Sequence, residues 1–185
     1  MENFLKNDLI TALQDMELLS KTLNINTFDI YLLGGSGAIL AGYLDRATRD
    51  FDIMELDYDS RLGRVLKLLE PFDSIDEHLA AISPTYKTRA KQLTQFKYLS
   101  IYVLSREDII VSKIARLNDR DANDIAIMLP KADIDLIFNL AEELLSSKRT
   151  NKFKLNFYKN FSRVAKEHTN VQTYLQQLEK LRKRF

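Results

Sequence analysis

A chain of 185 residues has room for one full-sized domain, or for a compact core with a helical extension, and two independent domains would be cramped in it. With 45% hydrophobic and 29% charged residues it fits neither a disordered nor a fibrous class, and a formal net charge of +1 leaves bulk charge silent about partners. The absence of cysteine excludes disulfides, thiolate metal sites and a cysteine nucleophile, and His78 and His168 alone are too few for a zinc site or a histidine triad.

From Phe4 through Leu23 the apolar residues Leu5, Leu9, Leu13, Met16 and Leu19 recur at three- and four-residue steps, which predicts an amphipathic helix ended by Asn24-Ile25-Asn26. Phe28 to Leu33 is a β-branched and aromatic run that stops at two glycines, a buried strand, and Ser36 to Leu44 reads as helix. After the polar loop Asp45 to Arg49, Phe51-Asp52-Ile53-Met54-Glu55-Leu56 alternates apolar and acidic residues, a second strand with one polar face. Arg61 to Leu69 reads as a helix stopped by Pro71, and Ile75 to Ile82 as a further short helix ahead of Pro84. Tyr86 to Phe96 and Tyr98 to Leu104 read as two strands of a hairpin. Ser105 with Asp108 matches a capping start, and from Asp108 onward there is no glycine and only Pro130, so the remainder is expected to be nearly all helix.

This order predicts an α+β fold: a small mixed sheet with helices packed on it in residues 1–105, and an all-helical C-terminal region, 106–185, docked on that core as one compact body. No apolar run approaches the roughly 20 residues of a membrane span, and the polar start Met1-Glu2-Asn3 is not a signal peptide, so a cytoplasmic protein without membrane contact is expected.

Four of the five glycines, Gly34, Gly35, Gly37 and Gly42, fall within nine positions after the first strand. Such a turn lets a bulky ligand approach the backbone, and a following helix N-terminus offers N–H groups to a phosphate. The Ser36 hydroxyl either adds a bond to a phosphate oxygen or only caps its helix. Asp50 and Asp52 leave one face of the second strand while Phe51 points into the core. Their mutual repulsion is relieved by a hard divalent cation, Mg²⁺ or Mn²⁺, shared with triphosphate oxygens. A half-exposed strand shows the same alternation, so the weight lies in the pair following a glycine turn.

Lys113, Arg116, Arg120 and Asp124 are spaced i, i+3, i+7 and i+11, one stripe of a helix beside the apolar Ile110, Ile114 and Leu117. Asp121 falls among the apolar residues and needs a partner if buried. The stripe serves either as a solvated face with ion pairs such as Arg120 to Asp124, or with Lys113 or Arg116 holding triphosphate oxygens.

The segments Leu33-Gly34-Gly35-Ser36-Gly37-Ala38 and Arg46-Ala47-Thr48-Arg49-Asp50-Phe51-Asp52 resemble the fingerprint of the polymerase-β-like nucleotidyltransferases. The run from Leu104 to Arg116, continuing to Arg120-Asp121-x-x-Asp124-Ile125, is similar to a second signature, that of small bacterial nucleotidyltransferases related to abortive-infection toxins of toxin–antitoxin pairs. The resemblance covers about residues 28 to 128. It implies transfer of a nucleoside monophosphate from an NTP to an acceptor hydroxyl, with RNA, such as the 3′ end of tRNA, as acceptor and an antitoxin protein as partner. By position it makes Asp50, Asp52 and Lys113 the catalytic candidates, with Asp50 and Asp52 the metal ligands. Gly34, Gly35, Ser36, Arg49, Arg116, Asp121 and Asp124 are the candidate nucleotide- or phosphate-binding residues.

The resembled enzymes take a third carboxylate from a later central strand, and Tyr86 to Leu104 contains no acid. Glu55, Asp57, Glu107 and Asp108 are substitutes by proximity in sequence. The gap keeps open a catalytically weak protein of the same fold that binds a nucleotide or a partner. A dinucleotide-binding reading of Gly35-x-Gly37 fits poorly, because Leu40 replaces the last glycine of that fingerprint and the strands are too few. The basic end Lys180-Leu181-Arg182-Lys183-Arg184 can touch RNA phosphates, but the preferred reading is that it complements a helix dipole, and His168 reads as structural.

Overall fold

The computed structural model describes residues 3–54, 60–76 and 80–183. The chain divides into two compact units, Met1–Ala80 with Lys87–Ser105, and Ala81–Tyr86 with Arg106–Phe185.

The first unit is a five-stranded mixed sheet with helices. Helix α1, Lys6–Thr22, buries Leu9, Leu13 and Met16 along the predicted stripe and stops ahead of Asn24, which turns to φ 49°. Strand β1, Asp29–Leu32, leads into α2, Gly34–Leu40, which starts at the glycines themselves and not at Ser36. Strand β2 is Phe51–Met54, α3 is Ser60–Leu66, β3 is Phe72–Ile75, β4 is Lys91–Gln92 and β5 is Ser100–Val103. The sheet order is β3-β2-β1-β5-β4. Strand β1 runs antiparallel to β2 and parallel to β5, β2 runs parallel to β3, and β4 pairs antiparallel with β5. Ile30, Leu32, Phe51, Ile53, Ile101 and Val103 alternate into one buried face.

Two expectations fail here. The helix predicted over Ile75–Ile82 is wrong where the chain is described, because Ile75 ends β3 and Ala80 to Ile82 form bends. Strand β3 is short and draws its backbone partners from β2, a contact that local periodicity cannot report. The long strand Tyr86–Phe96 shrinks to Lys91–Gln92, preceded by a single 3-10 turn, Tyr86–Thr88. A two-residue edge strand carrying lysine leaves little edge open to further pairing.

The second unit is helical: α4 Arg106–Arg116, α5 Asp119–Met128, α6 Ile134–Ser146, α7 Asn151–Glu167, α8 Thr169–Gln172 and α9 Leu175–Arg182. Its outlying segment is held by Ser83 and Thr85, whose hydroxyls both donate to the Glu143 carboxylate on α6. No helix among the described residues is long and apolar enough to cross a membrane.

The helix predicted to run from Ser105 through Asp124 is interrupted. Leu117 adopts φ 43° and Asn118 caps a new helix, its side chain accepting from Asp121 N at 2.9 Å while the Asp121 carboxylate reaches back to the Asn118 N–H. A single i to i+11 stripe therefore does not exist, and Arg120 stands exposed on α5. Removing this cap in Asn118→Ala is expected to cost about 1 kcal/mol in urea unfolding, with most of the loss restored in Asn118→Ser.

Candidate functional site

In the first unit the glycine turn and β2 are joined through Asp52. The Asp52 carboxylate accepts the Gly35 N–H at 2.9 Å, and the Asp52 N–H donates to the Ser36 hydroxyl at 2.9 Å. Ser36 is fully buried, and its own hydroxyl proton points to the Leu33 carbonyl at 3.4 Å. The polar groups of the turn thus face β2 and fix the acid. Gly34 sits at φ +58°, and a Cβ there would lie 2.0 Å from Asp52 Oδ2, so no other residue type allows this approach.

Asp50 reaches the same turn by a relay. Its carboxylate accepts from the buried Thr48 hydroxyl at 3.4 Å, and that hydroxyl lies 2.9 Å from where a Cβ on Gly35 would stand. Both acids are half-buried, Phe51 between them is fully buried, and Arg49 is exposed just before Asp50.

The sheet adds an acid that sequence reasoning missed. In the parallel pair of β2 with β3, Phe51 stands opposite Phe72 and Asp52 opposite Asp73, so Asp73 leaves the same face one strand away and is exposed. By the same alternation Tyr31 and Tyr102, stacked at 4.9 Å, share that face. The available signal was the Phe-Asp start and apolar ends of Phe72-Asp73-Ser74-Ile75, an echo of Phe51 to Met54. Among the described residues no three acids or histidines gather closely enough to hold a metal by themselves. Glu55 and Asp57, two of the substitutes considered for a third acid, lie outside the described residues.

The remaining candidates gather in the second unit. Lys113, 3% exposed, is held between Asp121 at 3.1 Å and Asp124 at 2.8 Å. Arg116 grips Asp121 with two nitrogens at 2.7 and 2.9 Å while the rest of its side chain stays exposed. Asp121 thus has the partner that its burial demands, and Asp124 is tied to Lys113. Burial pushes the Asp121 carboxyl up, but the hydrogen bond from Arg116 and the charges of Lys113 and Arg116 outweigh it and hold it below its ordinary value. Asp108 is fully buried at the start of α4, and Glu107 accepts the Asp133 N–H at 3.1 Å, which ties Glu107 into the helical unit.

Two outcomes follow. Gly34→Ala is expected to lose about 1–3 kcal/mol of stability from backbone strain and the clash with Asp52, and to lose less in an Asp52→Ala background, as a double-mutant cycle in urea would measure. Asp121→Asn is expected to cost about 3–5 kcal/mol at neutral pH, against at most about 1 for Arg116→Gln. Because the folded Asp121 pKa lies below its unfolded value, its contribution is present above about pH 4 and fades as pH falls further. The gap between wild type and Asp121→Asn should therefore close on acidification.

A family model described as "Nucleotidyltransferase of unknown function (DUF6036)" matches residues 7–169. No curated protein and no solved structure matches the chain.

Proposed function

The chain belongs to this family of nucleotidyltransferases, and on that premise we propose that it transfers a nucleoside monophosphate from an NTP to an acceptor hydroxyl at the site built on Asp52. The observation that carries the reading is the anchoring of Asp52 against the Gly34–Gly35 turn, with Asp50 drawn to the same turn through Thr48. An oxygen-only pair of carboxylates suits a hard cation such as Mg²⁺ or Mn²⁺, which Asp50 and Asp52 would hold together with the triphosphate. When bound, that ion supplies neutralisation of charge on the transferring phosphoryl group and on the departing pyrophosphate.

The acceptor oxygen forms a bond to the α-phosphorus as the bond to the pyrophosphate oxygen breaks, and the hydroxyl proton must leave. Asp73, in register with Asp52 and exposed, is our candidate to take it. Gly35 and Ser36 act as positioning residues by fixing Asp52 from both sides, and Arg49, exposed just before Asp50, is our candidate to meet the triphosphate. Lys113, a catalytic candidate by the resemblance, has its charge balanced by Asp121 and Asp124 within the helical unit. The likeness to toxin-related nucleotidyltransferases supports RNA, such as the 3′ end of tRNA, as acceptor and an antitoxin as partner. A catalytically weak binding protein is the second reading, favoured by the lack of a closed three-acid group among the described residues.

Calorimetry and labelled transfer separate the two. Mg²⁺-dependent NTP binding should vanish in Asp50→Asn with Asp52→Asn, whereas Asp73→Asn should keep binding and lower the rate of label transfer to total RNA by roughly 10²-fold. Unchanged NTP binding in the double variant would sink the site. Binding without any transfer by wild type would favour the weak protein.

A further inference from the structure

Charge is divided unevenly along this nearly neutral chain. Residues 148–185 carry eleven Lys and Arg against only Glu167 and Glu179, a net of +9 in a chain whose total is +1, so the first 147 residues sum to −8. An asymmetry of this size concentrates cations where a polyanion can meet them.

The structure gathers part of that charge into one stripe. Lys152, Lys159, Arg163 and Lys166 follow one another along α7 at intervals of seven, four and three, within about 60° of one another on the helix, and all four are exposed. Phe157, Phe161, Val164 and Ala165 occupy the opposite side and are buried. Beside the stripe, α7 and α9 flank a cleft of about 520 Å³ whose α7 wall is Tyr158, Lys159, Ser162, Arg163, Lys166 and Glu167. The Ser162 hydroxyl is buried in that wall without a hydrogen-bond partner. The Arg182 guanidinium lies 5.4 Å from the Tyr158 ring centre, adding a cation from α9. Two acids also line the cleft: Glu167, paired with Arg163 at 2.8 Å, and Glu179 on α9.

We propose that the α7–α9 cleft and its cationic stripe form a nucleic-acid-binding surface that takes the phosphate backbone of single-stranded RNA. The stripe from Lys152 to Lys166 spans about 21 Å, long enough for several successive phosphates of an extended strand. The surface does not suit a lipid bilayer, because the apolar face of α7 is already buried in the protein and Leu155 is the one large exposed apolar residue of that helix. The proposal concerns binding and holds whether or not the bound RNA is the acceptor of the transfer reaction.

The test is fluorescence anisotropy of the full chain with a labelled single-stranded RNA of mixed sequence, without NTP, across a salt series. Lys159→Gln, Arg163→Gln and Lys166→Gln combined should weaken binding at least about tenfold at low salt and flatten the slope of log K against log salt by about 2, with roughly 0.7 for each lost phosphate contact. Lys159→Arg with Lys166→Arg should bind as wild type does, and thermal melting should place both variants with wild type. Equal affinity and slope in the triple variant would overturn the proposal, as would binding to phosphatidylserine vesicles with none to RNA. NTP binding by the triple variant should stay intact, so failure here is distinguishable from failure of the Asp50 and Asp52 site.

Discussion

Asp52 and the first turn of α2 exchange two hydrogen bonds, and the rest of the candidate site depends on that exchange. The carboxylate takes the Gly35 N–H while the Asp52 N–H gives itself to Ser36, so an acid on β2 is clamped by the segment that follows β1. The clamp closes only because Gly34 has no Cβ and can hold a left-handed φ. A half-buried carboxylate in such a grip keeps a defined direction, as the role proposed for it in phosphoryl transfer requires. The glycines that sequence reasoning offered to a phosphate are thus used first to seat the acid.

The helical unit has its own fixed charge centre. Lys113 is almost fully buried, and leaving it unpaired there would cost several kcal/mol, a cost that its pairs with Asp121 and Asp124 remove. Arg116 completes a set of two cations and two carboxylates whose charges cancel. The break at Leu117 and Asn118 makes the set possible: a new helix direction brings Asp121 and Asp124 onto the Lys113 ammonium, and Asn118 with Asp121 caps the new start.

The two centres contrast with the stripe on α7. The first two are buried or half-buried and satisfied by named partners, while Lys152, Lys159 and Lys166 stand exposed at a regular interval. Exposed cations in series gain little from one another and much from a polyanion that releases its counterions. The chain is net negative over its first 147 residues and net positive over the rest, where this stripe lies.

Much of this was legible before any coordinates. The mixed sheet, the helical tail, α1 with its stripe, and the pairing of a glycine turn with an Asp-x-Asp strand all follow from periods of two and 3.6 and from where glycine and proline fall. Those signals are local, so the sequence by itself determined which residues alternate and which turns must bend. Tertiary structure decided the rest. It made Phe72 to Ile75 a strand beside β2 and so put Asp73 opposite Asp52, it reduced Tyr86 to Phe96 to a two-residue edge, and it broke one expected helix into two around a buried lysine. The physical reason is the same in each case: a short strand, an edge and a buried charge each exist only through partners distant in the chain, and no window of neighbouring residues contains those partners.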